Sequence, residues 1–189
     1  KFSEAADILR GVLKEVPDND AAHFYLGLTE FCMNDLEASG SELKKAVELD
    51  STNFWYRYRL AMVYSAAGKE ELTLAMFENL VRDFPDKYDL YYSMVELYQS
   101  QGQEEKALET LEQIETVFGP NDMTAIARFD LLRKLGREDE GYRYLEDFNK
   151  EYSSVQVLSI LGDRQLSMYN DSLALSLYNE ALDIDSSFA

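Results

Sequence analysis

A turn signal recurs every thirty-four residues along this chain of 189 residues. Gly68, Gly102 and Gly136 are separated by that interval, and Asn34 stands one interval upstream. Glycine and asparagine tolerate the left-handed backbone conformation that commonly ends a helix, so the series marks helix ends. A fixed period of this length predicts a stack of similar helical units, each of which contacts mainly its neighbours.

A second series of turn residues marks the other helix ends. It keeps the same interval until a last step of thirty-three residues: Pro17, Ser51, Pro85, Gly119, Ser153 and Ser186. The resulting units span 20–53, 54–87, 88–121, 122–154 and 155–188, and residues 1–19 form the second helix of a partial unit. Each complete unit holds two helices of about fourteen residues. The sequence therefore predicts an all-α fold of about eleven helices in one solenoid over 1–189, and a fragment of a longer repeat protein.

Composition excludes several classes of partner. Thirty-six acidic against eighteen basic residues give a net charge of −18, which opposes binding to nucleic acid phosphates and to anionic lipid surfaces. The sequence contains no run of eighteen apolar residues, so it predicts no membrane-spanning helix. The compartment stays open, because a single cysteine forms no internal disulfide and any export signal could lie upstream of Lys1.

Small and large residues alternate in a fixed phase within the period. The second helices carry small residues followed four places later by large ones, at Ala5/Leu9, Ser39/Leu43, Thr73/Phe77, Ala107/Leu111, Gly141/Leu145 and Ala174/Tyr178. The first helices carry small residues at Gly27, Ala61 and Gly162, with the larger Val95. Three places later stand Tyr64, Tyr98 and Leu132, whereas Glu30 and Gln165 depart from an aromatic pattern. This alternation resembles the tetratricopeptide repeat (TPR) family over essentially the whole chain.

The resemblance implies a right-handed α-α superhelical solenoid of helix pairs, whose concave groove is lined by first helices and binds extended or helical peptides. On helical geometry the groove-facing series includes Phe24, Tyr25, Leu28, Phe31, Trp55, Tyr58, Arg59, Met62, Tyr92, Glu96, Met123, Asp130, Arg133 and Asp163. Trp55, Tyr58 and Arg59 are the strongest candidates, because these residue types are enriched in interface cores. The alternative for each tyrosine is packing against the next unit.

Unit 122–154 departs from the pattern. Phe129 and Phe148 occupy places that the family usually keeps small, Arg128 stands where leucine is expected, and the unit is one residue short. Because extra volume must be accommodated by a backbone shift, we expect altered helix spacing or superhelix curvature there.

No catalytic, metal or cofactor site is predicted, and the chain is interpreted as a non-enzyme. His23, the only histidine, is expected to face its partner helix, and Cys32 is expected to pack rather than react. The segment Asp18–Asp20 resembles the start of a calcium loop, but it lacks the required glycine, and Thr29 stands at the closing glutamate position, so helix capping explains it better.

Two further features concern charge. A TPR subclass binds the carboxylate tail of chaperones through Lys, Asn and Arg at set groove places; here only Arg59 matches, while Phe24, Leu28, Tyr92 and Ser93 do not. Acidic groups at Glu70–Glu71, Glu104–Glu105 and Glu138–Glu140 fall at the starts of second helices, where negative charge is stabilising. A basic partner is the second explanation for these acids.

We therefore predict a scaffold or adaptor that binds another protein or peptide. One alternative is a spacer or self-assembly segment whose apolar ends, near Phe2 and Phe188, stack on another copy. The other alternative is the substrate-recruiting region of an enzyme whose catalytic domain lies outside this chain.

Overall fold

A computed structural model describes residues 1–185 of the chain. Over that range it contains eleven α-helices and no strand, which confirms the all-α prediction. The helices are α1 (Phe2–Glu15), α2 (Asp20–Cys32), α3 (Leu36–Leu49), α4 (Phe54–Ala66), α5 (Glu70–Asp83), α6 (Tyr88–Ser100), α7 (Glu104–Phe118), α8 (Asp122–Lys134), α9 (Glu138–Tyr152), α10 (Val155–Ser167) and α11 (Asp171–Ile184). Ser186 and Phe188, which the sequence analysis assigned to a turn and an apolar end, lie outside the described residues.

The helices are grouped in two compact units, Lys1–Leu90 and Tyr91–Ala189. In the first unit, α1 packs on α2, α2 on α3, α3 on α4 and α4 on α5. In the second, α7 packs on α8, α8 on α9, α9 on α10 and α10 on α11. Contacts between consecutive helices therefore dominate each unit, as expected for a helical-repeat fold. One consecutive helix pair falls inside each complete repeat unit that the sequence predicts. The assignment of all 189 residues to a single solenoid stays a prediction.

The turn within each helix pair has a left-handed residue. The φ angles are +63° at Asn34, +68° at Gly68, +67° at Gly102 and +74° at Gly136, which confirms that this series ends the first helices. In the last pair the same place is taken by Tyr169, with φ of +61°. This turn was not predicted from the sequence, because tyrosine carries no signal for a left-handed conformation.

Two kinds of helix N-terminus occur along the chain, and among the second helices α3 has a side-chain cap, because Asp35 accepts a bond from the Ala38 N–H. The first helices α2, α4, α8 and α10 begin after a residue whose side chain accepts a backbone N–H bond: Asn19, Asn53, Asn121 and Ser154. The Asn19 cap confirms the capping interpretation of Asp18–Asp20. The second helices α5, α7 and α9 have no side-chain cap and carry acidic residues in their first turns, as predicted.

The small residues of the pattern mark close approaches between paired helices. A Cβ atom placed on Gly27 would lie 2.7 Å from Leu43 Cγ, and one on Gly162 would lie 2.5 Å from the Tyr178 ring. In the irregular unit a Cβ on Gly141 would lie 2.9 Å from Phe129, so the missing side chain of a glycine makes room for the larger ring. The altered curvature expected at this unit stays a prediction.

Three polar or reactive residues of the first helix pair have defined surroundings. His23 faces α3 as predicted, with Nδ1 2.6 Å from Glu42 Oε2, and its Nε2 lies 2.8 Å from the Pro17 carbonyl oxygen. Glu30 is buried at the place of an aromatic residue, where its Oε1 accepts a 3.1 Å bond from Arg10. Burial raises the pKa of Glu30. The packing expected for Cys32 is wrong: as the last residue of α2 it is exposed.

Candidate functional site

Trp55 separates two neighbouring hollows on the surface of the first unit, and its side chain contributes to the wall of both. It lies in the first turn of α4, where its backbone N–H donates a 3.0 Å bond to the capping Asn53 side chain. The residue is 57 % exposed, although tryptophan offers the largest apolar surface of any side chain. The Trp55 ring is thus accessible to a ligand, and its assignment to the predicted groove stays a prediction.

The smaller hollow lies between α2 and α4 and has a volume of about 460 Å³. Its lining brings together five of the predicted groove residues and adds three: Phe24, Tyr25, Leu28, Trp55 and Arg59, with Ala21, Asn53 and Tyr56. The rings of Phe24 and Tyr56 lie 4.8 Å apart between centroids. The Tyr56 hydroxyl donates a 2.9 Å bond to Asp20, and burial together with this carboxylate raises the pKa of Tyr56 to about 12. The hydroxyl therefore stays protonated and fixes its ring against α2.

The larger hollow has a volume of about 630 Å³ and lies on the other side of Trp55. Its lining consists of Phe54, Trp55, Tyr58, Phe84, Asp86, Lys87, Tyr88, Asp89 and Leu90. Phe54 holds the aromatic part together, because it stacks on Tyr58 at 5.7 Å and meets Phe84 edge-on at 5.2 Å. Only Trp55 and Tyr58 of this set were predicted from the sequence. The prediction covered first helices, whereas Phe84, Asp86 and Lys87 follow α5.

Cations of the chain already contact the aromatic faces at this hollow. Lys87 Nζ lies 5.7 Å from the Phe54 ring centroid and 2.7 Å from Asp86 Oδ2. The Lys87 ammonium group holds the pKa of Asp86 below its usual value, so the pair is ionic at neutral pH. Arg57 is arranged in the same way, 5.9 Å above the Phe84 ring and 2.6 Å from Asp83.

Arg59 differs from these two cations. Its guanidinium lies 6.0 Å from the Tyr58 ring centroid and forms no ion pair within residues 1–185. Because Arg59 is the one charged residue among residues 1–185 that lines the smaller hollow, the two hollows beside Trp55 differ in charge.

The remaining groove candidates line neither hollow. In the first unit Met62 is half-buried and Phe31 is exposed. In the second unit Tyr92 is half-buried, Glu96 and Met123 are exposed, Asp130 pairs with Arg133 at 3.0 Å, and Asp163 accepts a 2.6 Å bond from the Tyr178 hydroxyl. The structure thus places six of the fourteen predicted groove residues at the two hollows and the other eight outside their linings.

Arg128, which stands where leucine was expected, joins three helices of the second unit. Its guanidinium lies 2.8 Å from both Glu112 and Glu115 of α7 and 4.4 Å from the ring centroid of Tyr144 in α9. Burial and the hydrogen bond to Glu115 raise the pKa of Tyr144, which keeps its hydroxyl neutral. The substitution in the pattern is thus compensated by an ionic and aromatic contact between neighbouring helices.

Within residues 1–185, no group of three or more His, Cys, Asp and Glu residues is arranged to hold a metal ion. Among the same residues, none of the helices combines the length and the apolar character that crossing a bilayer requires.

Comparison with known proteins identifies the repeat. Two sequence models described as tetratricopeptide repeat match residues 56–87 and 88–116. The chain is a tetratricopeptide-repeat protein. These TPR matches cover most of the pair α4–α5 and most of the pair α6–α7. The first match begins at residue 56, so Phe54 and Trp55 at the start of α4 lie just outside it. No curated protein matches the TPR chain in sequence.

Solved structures show the same TPR fold at low sequence identity. MamA is 23 % identical with a TM-score of 0.62, over 81 % of this chain and 92 % of its own. YrrB is 20 % identical with a TM-score of 0.57, over 97 % of this chain and 95 % of its own. PilF of Pseudomonas aeruginosa is 18 % identical with a TM-score of 0.57, over 98 % of this chain and 85 % of its own. At these identities the likeness establishes the fold alone.

Proposed function

We propose that this TPR protein is a scaffold or adaptor that binds a segment of another protein in the smaller and larger hollows beside Trp55. The observation that carries the proposal is the exposed Trp55 ring, which walls both hollows at once. A bound segment that filled either hollow would cover apolar surface that water now contacts, and this burial favours association.

The aromatic residues around Trp55 are held in place without a ligand. The Trp55 ring meets Phe54 edge-on at 5.2 Å and Tyr58 edge-on at 6.1 Å, and Tyr58 stacks on Phe77 at 6.4 Å. Side chains that are already ordered lose little conformational entropy on binding, so more of the burial energy appears as affinity. This arrangement suits a recognition surface better than a cluster of mobile side chains would.

The fold likeness supports a peptide as the ligand. YrrB, which shares the fold, is described as a TPR protein with an unusual peptide-binding site. Two hollows that share the Trp55 wall also suit a chain segment that presents successive side chains to them, rather than one compact small molecule.

The test uses affinity capture to find a partner, followed by calorimetric titration of that purified partner against wild type and Trp55→Ala. Removing an exposed ring that binding would bury is expected to weaken affinity by about 2 kcal/mol, or roughly thirtyfold, at 25 cal/mol per Å² of apolar surface. Because the ring is more than half exposed, the helical circular dichroism should change little.

The matched control is Tyr169→Gly, which removes an aromatic side chain that is 91 % exposed and lines neither hollow. Its partner affinity should equal that of wild type. If Trp55→Ala and wild type bind every captured partner equally, the hollows are not the binding site and the proposal is wrong.

A second candidate function, self-assembly, is favoured by one face of α1. Ile8 and Val12 are exposed there, whereas the residues equivalent to Val12 in α3 and α5, Ala46 and Leu80, are fully buried. An apolar face of this kind can cover another helix, including one from a second copy. Light scattering over a hundredfold range of concentration should then show a dimer that Ile8→Lys abolishes; a constant monomer mass would exclude self-assembly.

Recruitment of a substrate for an enzyme outside this chain stays a prediction.

A further inference from the structure

We propose that the larger hollow receives a lysine or arginine side chain of the bound segment, so that the partner of this protein is a basic peptide segment. The inference rests on the proposed peptide-binding function and adds the chemistry of the ligand. It follows from three features of the larger hollow: its aromatic faces, its carboxylates and the position of Lys87.

The aromatic walls are suited to a cation. The face of an aromatic ring carries partial negative charge and attracts an ammonium or guanidinium group within about 6 Å of its centroid. Phe54, Trp55, Tyr58 and Phe84 all contribute rings to this hollow. Two of the rings already hold cations of the chain itself, Lys87 at 5.7 Å from Phe54 and Arg57 at 5.9 Å from Phe84.

The carboxylates around the hollow have the complementary charge. Asp86 and Asp89 line it, and in the described part of the chain Lys87 is the one basic residue of its lining. The first unit, Lys1–Leu90, carries seventeen acidic against ten basic residues, so its field attracts a basic segment and repels an acidic one. The favoured occupant is therefore cationic, with an apolar stem that can lie against the rings.

Lys87 shows where such a cation would bind and also competes with it. Its ammonium group takes the Phe54 face and pairs with Asp86 at 2.7 Å, the two interactions that an incoming lysine would make. The main-chain hydrogen bonds that Lys87 forms with Phe84 and Leu90 do not involve its side chain. Removal of the amine should thus free the site and leave the local backbone in place.

The smaller hollow is not expected to share this preference. Its charged lining residue is Arg59, which would repel a second cation and instead suits an acidic or neutral side chain. The preference for a basic residue is therefore a property of one hollow and not of the whole surface.

The test exploits Trp55, the only tryptophan of the sequence, as a fluorescent reporter in the wall of both hollows. The probes are three twelve-residue peptides with identical apolar and glycine positions that carry lysine, serine or glutamate at the remaining positions. We expect the lysine peptide to bind about five- to tenfold more tightly than the serine peptide at low salt, and the glutamate peptide to bind most weakly.

The deciding variant is Lys87→Met, which keeps an apolar stem and removes the competing ammonium group. It should increase affinity for the lysine peptide by about two- to fivefold and leave the serine peptide unchanged. The matched control is Lys14→Met, an exposed lysine of α1 that lines neither hollow and produces the same change in net charge. A gain of affinity cannot be explained by a variant that fails to fold.

The outcomes separate this inference from the proposed function. Equal binding of the lysine and glutamate peptides would overturn the inference and leave peptide binding intact. Equal gains from Lys87→Met and Lys14→Met would show attraction by net charge alone and would also overturn it. If none of the three peptides changes the Trp55 fluorescence or binds in a direct calorimetric titration, both the inference and the proposed function are contradicted.

Discussion

The substitution Gly27→Ala should destabilise the first unit, although alanine is the better helix former. In an exposed helix interior the change would add about 0.5 to 1 kcal/mol of stability. Here the new Cβ would lie 2.7 Å from Leu43 Cγ and 3.1 Å from the Ser39 carbonyl oxygen of α3. Leu43 is fully buried and the carbonyl belongs to a helix backbone, so neither can move away without displacing α3. Overpacking of this kind costs about 2 to 3 kcal/mol, which leaves a net loss of about 1 to 2 kcal/mol.

The chain offers a matched control for the same substitution. Gly11 lies in the interior of α1, and a Cβ on it would meet no atom of residues 1–185 within 4 Å. Gly11→Ala should therefore stabilise by about 0.5 to 1 kcal/mol, the ordinary gain in helix propensity. Urea unfolding followed by circular dichroism at a helical wavelength gives both free energies, and the two variants should shift the midpoint in opposite directions.

The reasoning is refuted if Gly27→Ala raises the midpoint as Gly11→Ala does. That result would mean that α2 and α3 can separate at little cost, and that the small residue at this place of the repeat does not reflect a close helix approach. A hydrogen-exchange measurement on α2 and α3 would locate the loss if the Gly27→Ala midpoint falls as expected.

Three further predictions concern other parts of the fold. Tyr169→Gly should raise the free energy of unfolding by about 0.5 to 1 kcal/mol, because glycine adopts the left-handed conformation without strain; a lower value in urea unfolding would contradict this. Burial raises the pKa of Glu30, so the stability that its protonated carboxyl contributes is present at low pH and is lost as pH rises through the folded-state pKa. Glu30→Gln keeps an acceptor for Arg10 and should remove this pH-dependent loss of stability. Parallel curves of stability against pH for the variant and the wild type would contradict the prediction. Arg128→Met should cost about 1 to 2 kcal/mol through the lost contacts to Tyr144 and two carboxylates, and an unchanged melting temperature would show that they contribute nothing.

The fold could be predicted from the sequence because its strongest constraint is local and repeated. Glycine or asparagine at Asn34, Gly68 and Gly102 is what a left-handed turn requires, so the period located the helix ends. Tyr169 adopts the same conformation without the residue type that signals it, and one turn was missed for that reason. Local preference identifies a turn only where the residue that fills it is one of the few that tolerate it.

The candidate site was only half predictable for a different reason. Helical spacing placed Phe24, Trp55 and Arg59 on one surface, and the smaller hollow contains all three. The larger hollow also needs Phe84 and Lys87, which follow α4 by a whole helix and whose approach depends on how α5 packs. A periodic pattern states which residues share a face of one helix, but it does not state which side chains from another segment close a hollow over that face.

The difference between capped and uncapped helix starts has a consequence for where the chain opens first in acid. The first helices α2, α4, α8 and α10 start from neutral amide or hydroxyl caps, which bind the helix backbone at any pH at which the protein is folded. The starts of α5, α7 and α9 depend instead on ionised glutamates, whose negative charge stabilises the partial positive charge of the exposed backbone amides. This stabilisation is lost when acid protonates the carboxylates. Fraying in acid should therefore begin just after the glycine turns inside the helix pairs, and a protease active at low pH should cut there before it cuts at the starts of the first helices.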